Sequence, residues 1–353
     1  MSSGLSAYTC TPRQVKKFAI RCMTAGLVPF IQSSPAMGKS AIVKGIAKDF
    51  NLKLIDHRLS TSAPEDLSGL PHFRDDGTAT FAPFDTFPTE DTPLPEGKQG
   101  WLLFLDEFNS ASKAVQAAAY KLVLDKEIGQ KKLHPNVVIV CAGNLSTDRA
   151  ITNPISTAMQ SRLIHLTMEL NHGEFMEDVA FKFEWDSRII AFLNYKPALL
   201  HDFRPDHNES TFCSPRTWEF MNKLTKGNEV LVEDAPLYAG AITSGVAVDF
   251  ITFTKVYDSL PQVGVITQDP EGTALPHDSA TRYATITHLI EFINEDNIDP
   301  LVIYVNRLPA EFKVLFFRGL KVQKPKLCTH PAFRKAMVEL NRYFHDDIEK
   351  EAA

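Results

Sequence analysis

The sequence predicts an α/β protein, a parallel sheet flanked by helices and followed by an all-helical part. Three observations carry this. Residues 101–106 (WLLFLD) and 137–142 are apolar almost without interruption, as suits strands buried on both faces of a parallel sheet. Strand-like and helix-like segments alternate through the first half. Beyond about residue 170 the apolar positions recur mainly at helical spacing.

In chain order, residues 12–25 carry Val15, Phe18, Ala19 and Cys22 at helical spacing, with Thr11 the expected cap and Pro12 the first helical residue. Residues 27–32 read as a strand with Pro29 near its start, 40–51 as a helix and 52–56 as a second strand. Residues 101–106 follow as a strand, 111–125 as an Ala-, Val- and Leu-rich helix, and 137–142 and 163–168 as further strands. Residues 57–100 are different: Pro, Asp, Thr and Gly dominate, and Phe73, Phe81, Phe84 and Phe87 are interleaved. The stretch is too long for a plain connection. Two readings stand, a disordered loop and a functional insertion with a small hairpin. Later helices are expected over 174–194, 215–224, 237–256, 278–294 and 331–345. The expected domains are a core over 1–170, a helical domain over 171–265 and a helical extension over 266–353.

Composition narrows the function. The chain has 353 residues, with 37 Lys plus Arg against 43 Asp plus Glu, a formal charge of −6. That length allows two or three domains and a large core without metal or disulfide staples. The acidic balance argues against a chain that coats nucleic acid or an anionic membrane. Cys10, Cys22, Cys141, Cys213 and Cys328 are scattered, with no C-x-x-C pair, which points to a reducing compartment. Cys141, inside an apolar run, reads as a small buried hydrophobe. No apolar run nears the length of a membrane span, and the start MSSGLSAYTC lacks the basic and apolar regions of a signal peptide. A cytoplasmic location is therefore expected.

The segment Ser33-Ser34-Pro35-Ala36-Met37-Gly38-Lys39-Ser40 follows a strand and opens a helix, the context of the phosphate-binding loop G-x-x-x-x-G-K-[ST]. Ser33 stands where that pattern has its first glycine. Backbone N–H groups over residues 34–40 are expected to wrap a β-phosphate, with Gly38 allowing close approach. Lys39 would neutralise the β and γ oxygens, and Ser40 would ligate Mg²⁺. The strand ending in Asp106-Glu107 suits a Mg²⁺-holding aspartate followed by a glutamate that activates water. Alone, it is equally a buried strand with a solvated acidic end. The strand ending in Gly143-Asn144 is explained by a turn, or by an amide that reaches the attacking water or γ-phosphate at the carboxyl edge of the sheet.

With these motifs in order, the chain resembles the AAA+ ATPases, and within them the MoxR branch. The stretch LLFLDEFNSASKAVQAAAYKLVLDKEIGQ is similar to that family's strand, its DE-N-A helix and the hairpin after it, which here is short. The segment SAPEDLSGLPHF resembles the approach to the family's helix-2 insertion. Ser33 and Ala36 depart from two loop glycines. The resemblance implies an AAA+ P-loop core with a helical lid over 171–265, and it implies ATP and Mg²⁺. It makes Asn144 the sensor 1 residue, Arg162 the finger that enters a neighbouring subunit's site, and Arg216, in Ser214-Pro215-Arg216-Thr217, the sensor 2 residue of the lid. It further implies a ring, expected to be a hexamer, that remodels a protein client, among them von Willebrand factor A-domain proteins. Arg149 is a second candidate for the finger. By themselves Arg162 reads as a solvated surface residue and Arg216 as a brace of its helix. Phe81, Phe84 and Phe87 either line a ring pore or anchor the insertion onto the core.

Two other functions remain in view. Ser33 and Ala36 favour a nucleotide-binding structural switch that hydrolyses weakly. A nucleic-acid-directed motor is opposed by the net charge and by the lack of a Lys/Arg-rich stripe. GTP preference stays open, since no guanine-reading motif is evident. His57, His72, His134 and His165 show no metal-ligand spacing.

Overall fold

The computed structural model describes residues 8–148 and 152–340. They form two compact units divided between Asn171 and His172, with Arg204–Asp206 grouped with the first. The first unit is built on five strands: β1 (Val28–Ser33), β2 (Lys53–Arg58), β3 (Trp101–Asp106), β4 (Val137–Asn144) and β5 (Leu163–Thr167). They pair in the order β2-β3-β4-β1-β5, all parallel. The expected α/β class is observed, with a helical part after it.

Side-chain alternation explains the continuous apolar runs. Leu103, Leu105, Ile139 and Cys141 share one buried cluster with Val115, Ala119 and Leu122 of the helix Lys113–Asp125. Leu102, Phe104, Val140 and Ala142 face a second cluster with Val15 and Ala19 of the helix Pro12–Thr24 and Val43 and Ile46 of the helix Lys39–Asp49. A strand covered on both faces has no position left for a polar residue until it leaves the sheet. Each fully buried Leu or Phe contributes about 1.5–3 kcal/mol. Burial also pushes the Cys141 thiol far up, so it stays protonated. Thr11 and Gln14 form a reciprocal cap on Pro12–Thr24. Pro29 is tolerated because pairing of β1 with β4 begins only at Phe30.

Of the two readings for 57–100, the hairpin is observed. Leu70–Phe73 pairs antiparallel with Ala79–Ala82. Gly69 turns into it at φ +86°, where a Cβ would lie 2.4 Å from the Ala82 carbonyl oxygen. The aromatics divide. Phe87 is 3% exposed and packs edge-on to His57, so it anchors the segment, whereas Phe73, Phe81 and Phe84 lie exposed. Burial pushes His57 below its ordinary value, against the opposing pull of Asp66 and Asp56. The short hairpin after Lys126 is present as Glu127–Ile128 and Lys131–Lys132.

The second unit is helical, and two expected helices are broken. The helix expected over 174–194 runs as His172–Phe175, a π-helical stretch Met176–Phe181, and a new helix Ser187–Tyr195. Glu184 is left-handed at φ +50°, and the Asp186 carboxylate caps the restart by accepting from Arg188 N. The helix expected over 237–256 divides into Ala235–Ile242 and Ser244–Thr254 at Thr243, whose φ of +79° no helix interior allows. Pro215–Thr225 and Ser279–Phe292 are as expected, and 331–340 are helical; 341–345 lie outside the described residues. Ser279–Phe292, from the segment read as the extension, packs along Ser187–Tyr195 from the segment read as the lid. No helix among the described residues is long and apolar enough to cross a membrane.

Candidate functional site

Three neighbouring strands, β3, β4 and β1, end at one edge of the sheet, and their carboxyl ends deliver the site. The loop after β1 is held from below by Met37, 8% exposed in the apolar cluster with Val43 and Ile46. Gly38 sits at φ +90° and opens the helix Lys39–Asp49, whose N-terminus has no side-chain cap. Its first amide donors thus remain directed at the loop. Ala36 adopts φ +61° although it is not glycine. Holding a non-glycine residue in this left-handed turn costs about 1–2 kcal/mol.

Lys39 is 9% exposed. Its Nζ donates to Ser33 O at 3.0 Å, Ser33 Oγ at 3.0 Å, Ser34 O at 3.2 Å and Asn144 Oδ1 at 3.1 Å. Ser40 Oγ donates to Asp106 Oδ2 at 3.1 Å. These two hard oxygens, one hydroxyl and one carboxylate, fit a Mg²⁺ ion, which takes few protein donors and fills its shell with water and phosphate. Among the described residues no group of three or more His, Cys, Asp or Glu side chains gathers into an alternative cage. Asp106 Oδ1 accepts from Glu107 N at 2.8 Å, and Glu107 is left-handed at φ +55°. That turn aims its carboxylate away from the strand, where Ser60 Oγ, just past β2, donates to Glu107 Oε2.

Sequence reasoning missed Ser60 and Asn109. Ser60 carries no motif; its signal is only a short polar residue where the neighbouring strand ends. Asn109 lay in plain view two residues after Glu107. Its side chain grips the Asn144 peptide from both sides, accepting from Asn144 N at 3.0 Å and donating to Asn144 O at 2.7 Å. Asn153 N donates to Asn109 O at 2.6 Å, which extends the network into the next loop. The Asn144 amide is thus aimed at Lys39 by a fixed backbone. The grip explains Gly143, where a Cβ would stand 2.2 Å from Asn109 Oδ1. Gly143→Ala should rotate Asn109 off Asn144 and destabilise the first unit by about 2–6 kcal/mol, the sum of two lost hydrogen bonds and overpacking. Chemical denaturation checks this; an unchanged midpoint would mean that the grip is dispensable.

The arginines are placed differently. Arg162 directly precedes β5, and its neighbour Leu163 pairs with Val28, at the start of β1. The phosphate-loop segment follows Ser33 at the other end of that strand, so Arg162 and the loop lie at opposite edges of the sheet. Arg162 is exposed; Nη1 donates to Ala158 O at 2.6 Å, and the guanidinium lies 5.2 Å from the Tyr120 ring centroid. Arg216 lies in the second unit, in the first turn of Pro215–Thr225, which Ser214 and Thr217 cap reciprocally. A cation there works against the helix dipole, so it does not stabilise the turn by charge. Arg149 lies outside the described residues.

No protein-family model and no curated protein matches this chain. Among solved structures, a Cytophaga hutchinsonii protein described as a candidate ATPase is similar over 94% of this chain and 88% of its own, at 14% identity and a TM-score of 0.34. One variant of Thermotoga maritima RuvB is similar over 94% of this chain and 89% of its own, at 14% identity and a TM-score of 0.34. A second RuvB variant covers 82% of this chain and 87% of its own, at 13% identity and a TM-score of 0.34. At such identities and scores the weight rests on this chain's own geometry: Lys39, Ser40, Asp106, Glu107 and Asn144 come together at one edge of a parallel sheet.

Proposed function

We propose that this chain is an AAA+ ATPase of the MoxR-like branch. The observation that supports it best is the double link of the loop to its neighbours, Ser40 to Asp106 and Lys39 to Asn144, each near 3.1 Å. Three motifs recognised separately in the sequence meet there. In this reading the loop amides and Lys39 bind the β and γ phosphates of ATP, and Ser40 and Asp106 hold Mg²⁺. The ion, when bound, would neutralise charge on the β and γ phosphates. Glu107 accepts the proton of the attacking water, and Asn144 orients that water or the γ-phosphate. A ring of copies, a hexamer by resemblance, supplies Arg162 in trans. Hydrolysis moves the helical lid, with Arg216 as its nucleotide sensor, to remodel a protein client such as a von Willebrand factor A-domain protein.

Glu107→Gln tests the hydrolytic part. The amide keeps the shape of Glu107 and removes the proton acceptor. ATP binding should persist while steady-state turnover falls at least about 100-fold. Turnover near the unmodified rate would transfer the base to another residue. Turnover immeasurable in the unmodified ring would favour the structural-switch reading, for which Ser33 and Ala36 are the supporting departures.

A further inference from the structure

Ser33 is more than a tolerated replacement for a loop glycine. Its side chain is fully buried, 0% exposed, beside Lys39. The hydroxyl donates its own proton to Ser34 O at 2.9 Å, which turns its lone pairs toward Lys39 Nζ at 3.0 Å. An ammonium has three N–H donors, and here four protein oxygens stand within 3.2 Å of it. Its donor capacity is therefore met inside the chain. With four oxygens for three N–H donors at least one contact is shared, so a phosphate oxygen competes with all of them; removing the Ser33 hydroxyl lowers the negative potential that holds the ammonium in the loop, although three oxygens remain. We infer that Ser33 is a positioning residue that holds Lys39 against its own loop, so that every nucleotide must break this latch to bind and affinity is set lower than the loop alone would give. This rests on the nucleotide-binding reading of the site and adds what regulates it.

The latch belongs to the protein before phosphate arrives, so its cost is common to all nucleotides. Ser33→Ala removes the hydroxyl and keeps the Cβ; Ser33→Gly removes both and guards against a packing artefact. In calorimetric titrations of the full chain, both variants should bind ATP and ADP more tightly, each by the same factor of about three to ten, less than one full charge-assisted hydrogen bond because the three remaining oxygens take over the freed N–H. In the protein freed of nucleotide, sulfosuccinimidyl acetate should acylate Lys39 several-fold faster in both variants, read by peptide mass spectrometry against the exposed Lys44 on the same helix. Weaker binding of both nucleotides would show that the hydroxyl supports the phosphate site, which overturns the latch. Tightening of ATP alone would place Ser33 at the γ-phosphate and overturns it as well. An unchanged acylation rate overturns it without reference to nucleotide. If the unmodified chain binds neither ATP nor ADP, the functional reading fails, and the acylation ratio alone decides the latch.

Discussion

Lys39→Ala is expected to abolish measurable ATP binding, with affinity falling about 10²–10⁴-fold. The magnitude follows from two or more charge-assisted hydrogen bonds to phosphate, each worth about 1.5–3 kcal/mol. No other cation in the segment 33–40 can replace them. The same change strips a donor from Ser33 O, Ser34 O and Asn144 Oδ1, so some loss of stability accompanies it. Thermal unfolding of the variant separates the two effects: a folded protein that no longer binds ATP supports the assignment. Calorimetric affinity equal to that of the unmodified chain would end the phosphate-loop reading.

The parts of this site that the sequence made legible share one physical cause. A strand buried on both faces must be apolar until it leaves the sheet, so β3 and β4 mark their own ends, and the polar residues at or just past those ends, Asp106, Glu107 and Asn144, fall at the sheet's carboxyl edge. The loop before Lys39 was legible because its geometry demands particular residues. Ala36 shows how far that demand persists, since it keeps φ +61° without being glycine. Ser60 and Asn109 were not legible in this way. Each acts through a hydrogen bond to a residue brought near by strand pairing, and neither pairing partner nor side-chain direction is written in local spacing. The helix breaks at Glu184 and Thr243 escaped for the opposite reason. Their flanking apolar residues fit one continuous helix, and the interruptions hold non-glycine residues at positive φ, Thr243 between two helices and Glu184 in the short stretch between the π-helical turns and Ser187. The segment 57–100 was ambiguous because its anchors are long-range. Phe87 meets His57 across the fold, and a Cβ at Gly129 would stand 2.6 Å from Ser68 O.

Arg162→Ala should leave ATP binding largely intact and reduce turnover by about 10³–10⁵-fold, the range of arginine fingers in related phosphoryl transfers. The sheet register supplies the motive. Leu163 stands beside Val28, while the loop follows Ser33, five residues further along β1. At about 3.3 Å per residue that separation is roughly 17 Å, beyond the reach of one arginine side chain. Arg162 is therefore out of reach of the phosphate loop of its own chain, as the proposed trans role requires. Its contacts with Ala158 O and the Tyr120 ring are exposed, and exposed contacts of this kind cost little to exchange for a phosphate. The sharper experiment mixes two inactive variants, Glu107→Gln and Arg162→Ala. Where an Arg162→Ala subunit supplies an intact Glu107 and its Glu107→Gln neighbour supplies an intact Arg162, a complete site is rebuilt, so part of the turnover should return. Demonstrated mixed rings with no recovered activity would remove Arg162 from this role or require that every site in the ring be competent. Repeating the mixture with Arg149→Ala tests the second candidate: recovery with that variant alone moves the finger to Arg149.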